Sequence, residues 1–195
     1  MRKKRSSPIQ KQYRYEEESN AYLIEVSLDD YDDVYDEWDP APFKKRFIEE
    51  GFDDFIVSSS DDIPKKYNLK IVLYIPETKK DLSKENAVES AYKNYYGYMM
   101  EKIRKSKIRL RKRTISYLLL ATLFLTPGYF FQIETSNVVY NVLEEGILIG
   151  GWVFLWEFFT NLFIKSREIN SMHQIYERLY DSEIQFIYED PKIIV

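Results

Sequence analysis

The chain has 195 residues, a formal net charge of -4 and 31% charged residues, and its mean hydropathy of -0.45 is that of a soluble protein when averaged over the whole length. It contains no cysteine and one histidine, His173, which excludes disulfides, thiolate metal sites and any constellation that needs two histidines. The average hides a segregation of charge. Residues 1–15 carry six basic and no acidic side chains, 16–63 carry three basic and seventeen acidic, and 64–113 carry fifteen basic and five acidic. From 114 to 164 there is no Lys or Arg, and the only charges are Glu134, Glu144, Glu145 and Glu157, a pattern that marks a membrane part.

The start, Met1 to Arg5, is basic but runs into polar residues, so no signal peptide is expected, and residues 1–19 read as a disordered tail without apolar periodicity. Residues 20–82 read as a cytosolic α/β part. Ile24, Val26 and Leu28 alternate with polar neighbours over 22–28, and NLKIVLYI over 68–75 is a β-rich run stopped by Pro76; both are strand signals. Between them the pattern predicts a short helix around Phe52 to Ser59, ending before Pro64.

After the first strand Asp29, Asp30, Asp32, Asp33, Asp36, Glu37 and Asp39 are interleaved with Tyr31, Tyr35 and Trp38. Hard cations take oxygen ligands of this kind, but the run lacks the sixth-place Gly and twelfth-place Glu of an EF-hand loop, so no metal or other cofactor is assigned. The remaining readings are a solvated acidic loop and a surface that docks on basic groups, either of the stalk or of a cytosolic protein partner.

From Ser83 the spacing turns helical, with Val88, Tyr92, Tyr95, Met99 and Ile103 on one stripe, and 83–114 reads as a stalk helix. It runs into the uncharged segment Ile115 to Ile133, which at 1.5 Å per residue covers about 28 Å and reads as a first transmembrane helix, with a kink or terminal turn at Pro127-Gly128. Residues 134–145 form an outer connection. Gly146 to Ile164 reads as a second transmembrane helix, followed by Lys165, Ser166 and Arg167. Lys102, Arg104, Lys105, Lys107, Arg109, Arg111, Lys112 and Arg113 precede the first span, Lys165 and Arg167 follow the second, and the connection has no cation; this asymmetry predicts a multi-pass cell-membrane protein with both termini cytoplasmic. The same basic run suits nucleic acid, but directly before a span its topological role outweighs that reading, and no nucleic-acid partner is expected.

On the second span Gly146, Gly150, Val153 and Glu157 share one helical face, with Asn161 a further polar residue beyond them, and Gly146 with Gly150 has the small-xxx-small spacing of a close helix contact. An ionised Glu157 near the middle of the span would cost on the order of 3 kcal/mol, so a partner is expected: a proton, a hydroxyl such as Thr122, Asn161, or a second copy of the chain. Structural packing, polar conduction and interfacial snorkelling are three open readings of that face. Residues 165–181 then read as a cytosolic helix, with Ile169, Met172, Tyr176 and Leu179 in register, and EIQFIY at 183–188, within 182–195, reads as a strand that joins the two N-terminal ones.

The expected fold is thus an α+β membrane protein: a two-helix transmembrane hairpin continued as a cytosolic helical stalk, carrying a small split α/β domain of about three strands built from both chain ends. The stretches EEGILIGGWVFLWE, DDYDDVYDEWDPAPFKKR and KIVLYIP resemble those of small prokaryotic two-span membrane proteins, a resemblance that implies this layout and no activity. The expected function is a membrane-anchored cytosolic interaction or sensing module without enzymatic activity. The alternative is an oligomeric pore-forming or membrane-disrupting effector, for instance in a prokaryotic defence system. Expected partners are the lipid bilayer, a second copy of the chain, and a cytosolic protein reached through Asp29 to Asp39.

Overall fold

The computed structural model describes residues 12–42, 46–130 and 137–189. Residues 1–11 of the expected tail, 131–136 at the end of the expected first span and the start of the connection, and 190–195 after the last strand lie outside them. The chain forms two compact units, one of Met1–Glu101 with Gln174–Val195 and the other of Lys102–His173.

The first unit is built on a mixed sheet of β1 (Arg14–Glu16), β2 (Ala21–Ser27), β3 (Asn68–Pro76) and β4 (Glu183–Glu189), in that spatial order. β1 and β2 are antiparallel, and Asn20 in the turn between them takes φ 51°, a left-handed conformation that Asn tolerates better than most residues. β2 and β3 run parallel, with Ile24 opposite Ile71, and β3 and β4 run parallel, with Leu73 opposite Phe186. Parallel neighbours need a crossover. Between β2 and β3 the crossover carries helix α1 (Glu50–Asp62); between β3 and β4 it consists of the two long helices, α2 (Leu82–Phe130) and α3 (Val138–Asp181).

The helix ends are set by side chains. The Glu49 carboxylate accepts from the Phe52 N–H at 2.7 Å to start α1, which ends before Pro64, and the Asp81 carboxylate accepts from the Ser83 N–H at 2.8 Å to start α2. The core joins Ile24 of β2 and Ile71, Leu73 and Ile75 of β3 with Ile56 of α1, Val88, Ala91 and Tyr92 of α2, and Ile175 and Leu179 of α3, all buried. Ala21 to Ile24 are buried without alternation, as in a strand covered on both faces.

In the second unit α2 and α3 lie side by side, Tyr117 stacking on Phe154 at 6.3 Å and Phe124 meeting it edge-on at 5.3 Å. α3 starts where the Asn137 side chain accepts from the Val139 N–H at 3.0 Å, so the VVYNVLEE segment is helical. Its ladder shifts to π-type bonds over Thr160–Lys165 and returns to α-helix from Ser166.

Two corrections to the expected fold class follow. The sheet has four strands instead of about three, because Arg14–Glu16, within the segment read as a tail, pairs with β2. The two-helix transmembrane hairpin is not upheld, since among the described residues one helix, Val138–Asp181, is long and apolar enough to cross a membrane. The reason is compositional. In α2 the apolar run begins only after Arg113 and is diluted by Ser116, Thr122, Thr126 and Pro127 before its described part ends at Phe130, whereas α3 gains Val138, Val139, Val142 and Leu143 by starting its helix ahead of Gly146.

Candidate functional site

The acidic run of the first unit splits into two jobs. Asp33 accepts from the N–H groups of Asp29 and Asp30 at 2.8 and 2.9 Å, Asp36 from Trp38 at 2.9 Å, and Asp39 from Ala41 and Phe47 at 2.9 and 2.8 Å. These carboxylates hold the loop in shape, and the backbone N–H of Phe47, with that of Ala41, keeps the Asp39 carboxyl below its ordinary range. Asp30 is tied by Lys79 at 2.8 Å and Lys84 at 3.2 Å, chiefly the former, which lowers its pKa to about 2. Asp32, Glu37, Glu49 and Glu50, together with Asp33 and Asp36, face a cleft of about 730 Å³ in which Arg46 is the one cation among the described residues. Tyr35 forms part of its wall, its hydroxyl raised to about 12 by burial and then by the Asp32 charge. Trp38 stands beside the cleft with 91% of its surface exposed. Among the described residues no group of acid or His side chains is arranged to hold a metal ion.

In the same unit one further carboxylate is partly buried. Asp53 of α1 accepts from the Tyr95 and Tyr96 hydroxyls of α2 at 3.0 and 2.8 Å; burial raises its pKa in spite of these bonds, and it raises both tyrosines. A third polar device, missed in the sequence, is Arg178: its guanidinium donates to the carbonyls of Ser60 and Ile63 at 2.8 and 3.1 Å and of Tyr67 at 3.2 Å, satisfying the C-terminal end of α1.

In the second unit the glycines of the expected polar face differ. A Cβ on Gly146 would meet nothing within 4 Å, and one on Gly150 would lie at ordinary contact, 3.6 Å, from Phe124. The close approach is at neighbouring Gly151, where a Cβ would stand 2.7 Å from the Leu125 side chain and 3.2 Å from its backbone nitrogen. Glu157 is neither buried nor paired with Thr122: its carboxylate lies 3.8 Å from the Lys165 ammonium, about two turns along the same helix, and its charge also reaches Arg113. Arg113 itself donates to the Tyr117 hydroxyl at 2.8 Å.

Asn161 is different again. It is fully buried in the π-type segment, and neither atom of its amide has a hydrogen-bond partner among the described residues. It lines a cleft of about 500 Å³ between α2 and α3 with Lys107, Leu110, Arg111, Thr114 and Ile115 on one side and Phe158, Leu162, Ser166, Ile169 and Asn170 on the other. Two groups that are far apart in the sequence, the basic cluster and the polar positions of the apolar helix, therefore meet at one place. Of that cluster Arg104, Lys105, Arg109 and Lys112 point elsewhere and are exposed.

Comparisons with protein-family models, with curated proteins and with solved structures found no match.

Proposed function

We propose that the chain is a membrane-anchored interaction module, its second unit embedded in the bilayer through the apolar part of α3 and its α/β unit presenting the acidic cleft and Trp38 to a basic protein partner on the cytoplasmic side. One observation carries this reading. Only 11% of the most apolar stretch of α3 is buried, so it is not the core helix of a soluble fold, and Ile149, Trp152, Val153, Trp156 and Phe163 are exposed along it. The cations of 102–113 with Lys165 and Arg167 favour retention of that end in the cytoplasm. Arg14–Glu16 near the start of the chain and Glu183–Glu189 near its end share one sheet, which supports placing both termini on the same side of the bilayer.

The pore reading gains nothing from Glu157, which is paired with Lys165 and so has no need of an aqueous path. The module reading is tested by tags at the two termini in intact cells and in lysed ones. Both tags are expected to be reached by antibody or protease only after lysis, and access to either tag in intact cells would overturn it.

A further inference from the structure

The cleft at Asn161 has a chemistry that asks for a ligand. A buried amide with no partner is rare in folded proteins because its donors and acceptors have given up water for nothing. It is held there by a local break in the helix: the Ser166 N–H bonds back to the Asn161 carbonyl five residues earlier, and such π-type turns recur where a side chain is aimed for use. The cleft lining contains Lys107 and Arg111 and no carboxylate, and neither cation has an ion-pair partner among the described residues. Its volume of about 500 Å³ is that of a small-molecule site, and Ile115, Phe158 and Leu162 give it an apolar wall beside the charged mouth.

We propose that this cleft binds an anionic glycerophospholipid, its phosphate held by Lys107 and Arg111, its oxygens taking the Asn161 amide as donor, and its chains lying along the apolar wall. A free phosphate would use the cations and waste the apolar wall; a zwitterionic lipid would bring its own cation against Lys107 and Arg111. Basic pockets between membrane helices at the cytoplasmic interface select lipid head groups by this combination. The assignment rests on the membrane-embedded reading and names the lipid class that reading requires.

The test uses the full chain purified from membranes in mild detergent, with lipid retention measured by native mass spectrometry. Wild type is expected to hold phosphatidylglycerol at least about tenfold better than phosphatidylcholine, the ratio that loss of one good charged contact gives. Asn161→Leu and the double variant Lys107→Gln/Arg111→Gln should each lose that preference, and Lys105→Gln/Lys112→Gln, which removes the same charge outside the cleft, should keep it. The double variants alter exposed or half-exposed cations, so they report on the site even where Asn161→Leu fails to fold. Equal retention of the two lipids, an unchanged preference in Lys107→Gln/Arg111→Gln, or displacement of the lipid by inorganic phosphate would overturn the proposal. A chain that stays in membranes and shows no preference refutes the lipid site alone; a chain recovered as soluble protein refutes the anchoring on which it rests.

Discussion

Arg178 ties the end of α1 to the returning helix through three backbone carbonyls, and nothing in its sequence neighbourhood announces it. It lies on the helix that returns from the second unit, and its targets are carbonyls at the end of a helix more than a hundred positions earlier, so only the fold brings them together. Burial lowers its pKa yet a guanidinium stays charged, so removal leaves three carbonyls without their charged donor. Arg178→Met is expected to destabilise the chain by about 2–3 kcal/mol, read as a fall in the thermal midpoint of the purified protein. Arg178→Lys should recover part of this, because an ammonium reaches one or two of the three carbonyls.

Two carboxylates at this scale give opposite pH signatures. Asp30 is held at about 2 by Lys79 and Lys84, below its ordinary 3.8, so its contribution is present above 3.8 and is lost as pH falls towards 2. Asp53 is raised above 3.8 by burial, so the folded state binds its proton more tightly, and its contribution declines as pH climbs from 3.8 through the raised value. Thermal midpoints across the acid range should therefore show a shallower acid-side fall in Lys79→Met/Lys84→Met, Asp39 still contributing, and a weaker decline above 3.8 in Asp53→Asn. An unchanged profile in Asp53→Asn would mean that its carboxylate is not penalised by burial.

At the scale of elements, what alternation and periodicity can carry was legible. The alternation at Ile24 and Val26 marked β2 and that of EIQFIY marked β4, while NLKIVLYI marked β3 by its β-rich apolar content rather than by alternation, as suits a strand covered on both faces. β1 was not, since Arg14–Glu16 is three polar or aromatic residues with no pattern of its own and exists only as a partner of β2. The π-type segment was equally invisible: TNLFIK is an ordinary helical sequence, and the shift that buries Asn161 arises from its surroundings. The helix contact in the second unit was read at Gly146 and Gly150 from their spacing of four, but adjacent glycines point about 100° apart on a helix, and it is Gly151 that meets α2. Gly151→Ala is expected to cost about 1–3 kcal/mol, since the Leu125 backbone cannot withdraw as a flexible side chain would. Gly146→Ala and Gly150→Ala should leave the midpoint near wild type. A larger loss in either of these than in Gly151→Ala would put the contact on the wrong face.

For the whole molecule, a single averaged hydropathy concealed two units of opposite character, one with a buried sheet core and an acidic cleft, the other with two long helices of which α3 exposes large apolar side chains along much of its length. The gap in cations from 114 to 164 exposed this division, while the number of spans did not follow from it, because a run free of charge is not the same as a run apolar enough to cross. Alkaline carbonate treatment of membranes from cells expressing the full chain separates embedded proteins from those held by charge or by a partner. The proposed embedding of the second unit predicts that the chain stays in the membrane pellet after this wash, in wild type and in Lys107→Gln/Arg111→Gln alike. Release into the supernatant would contradict it and leave the exposed apolar surface of α3 to a protein partner instead.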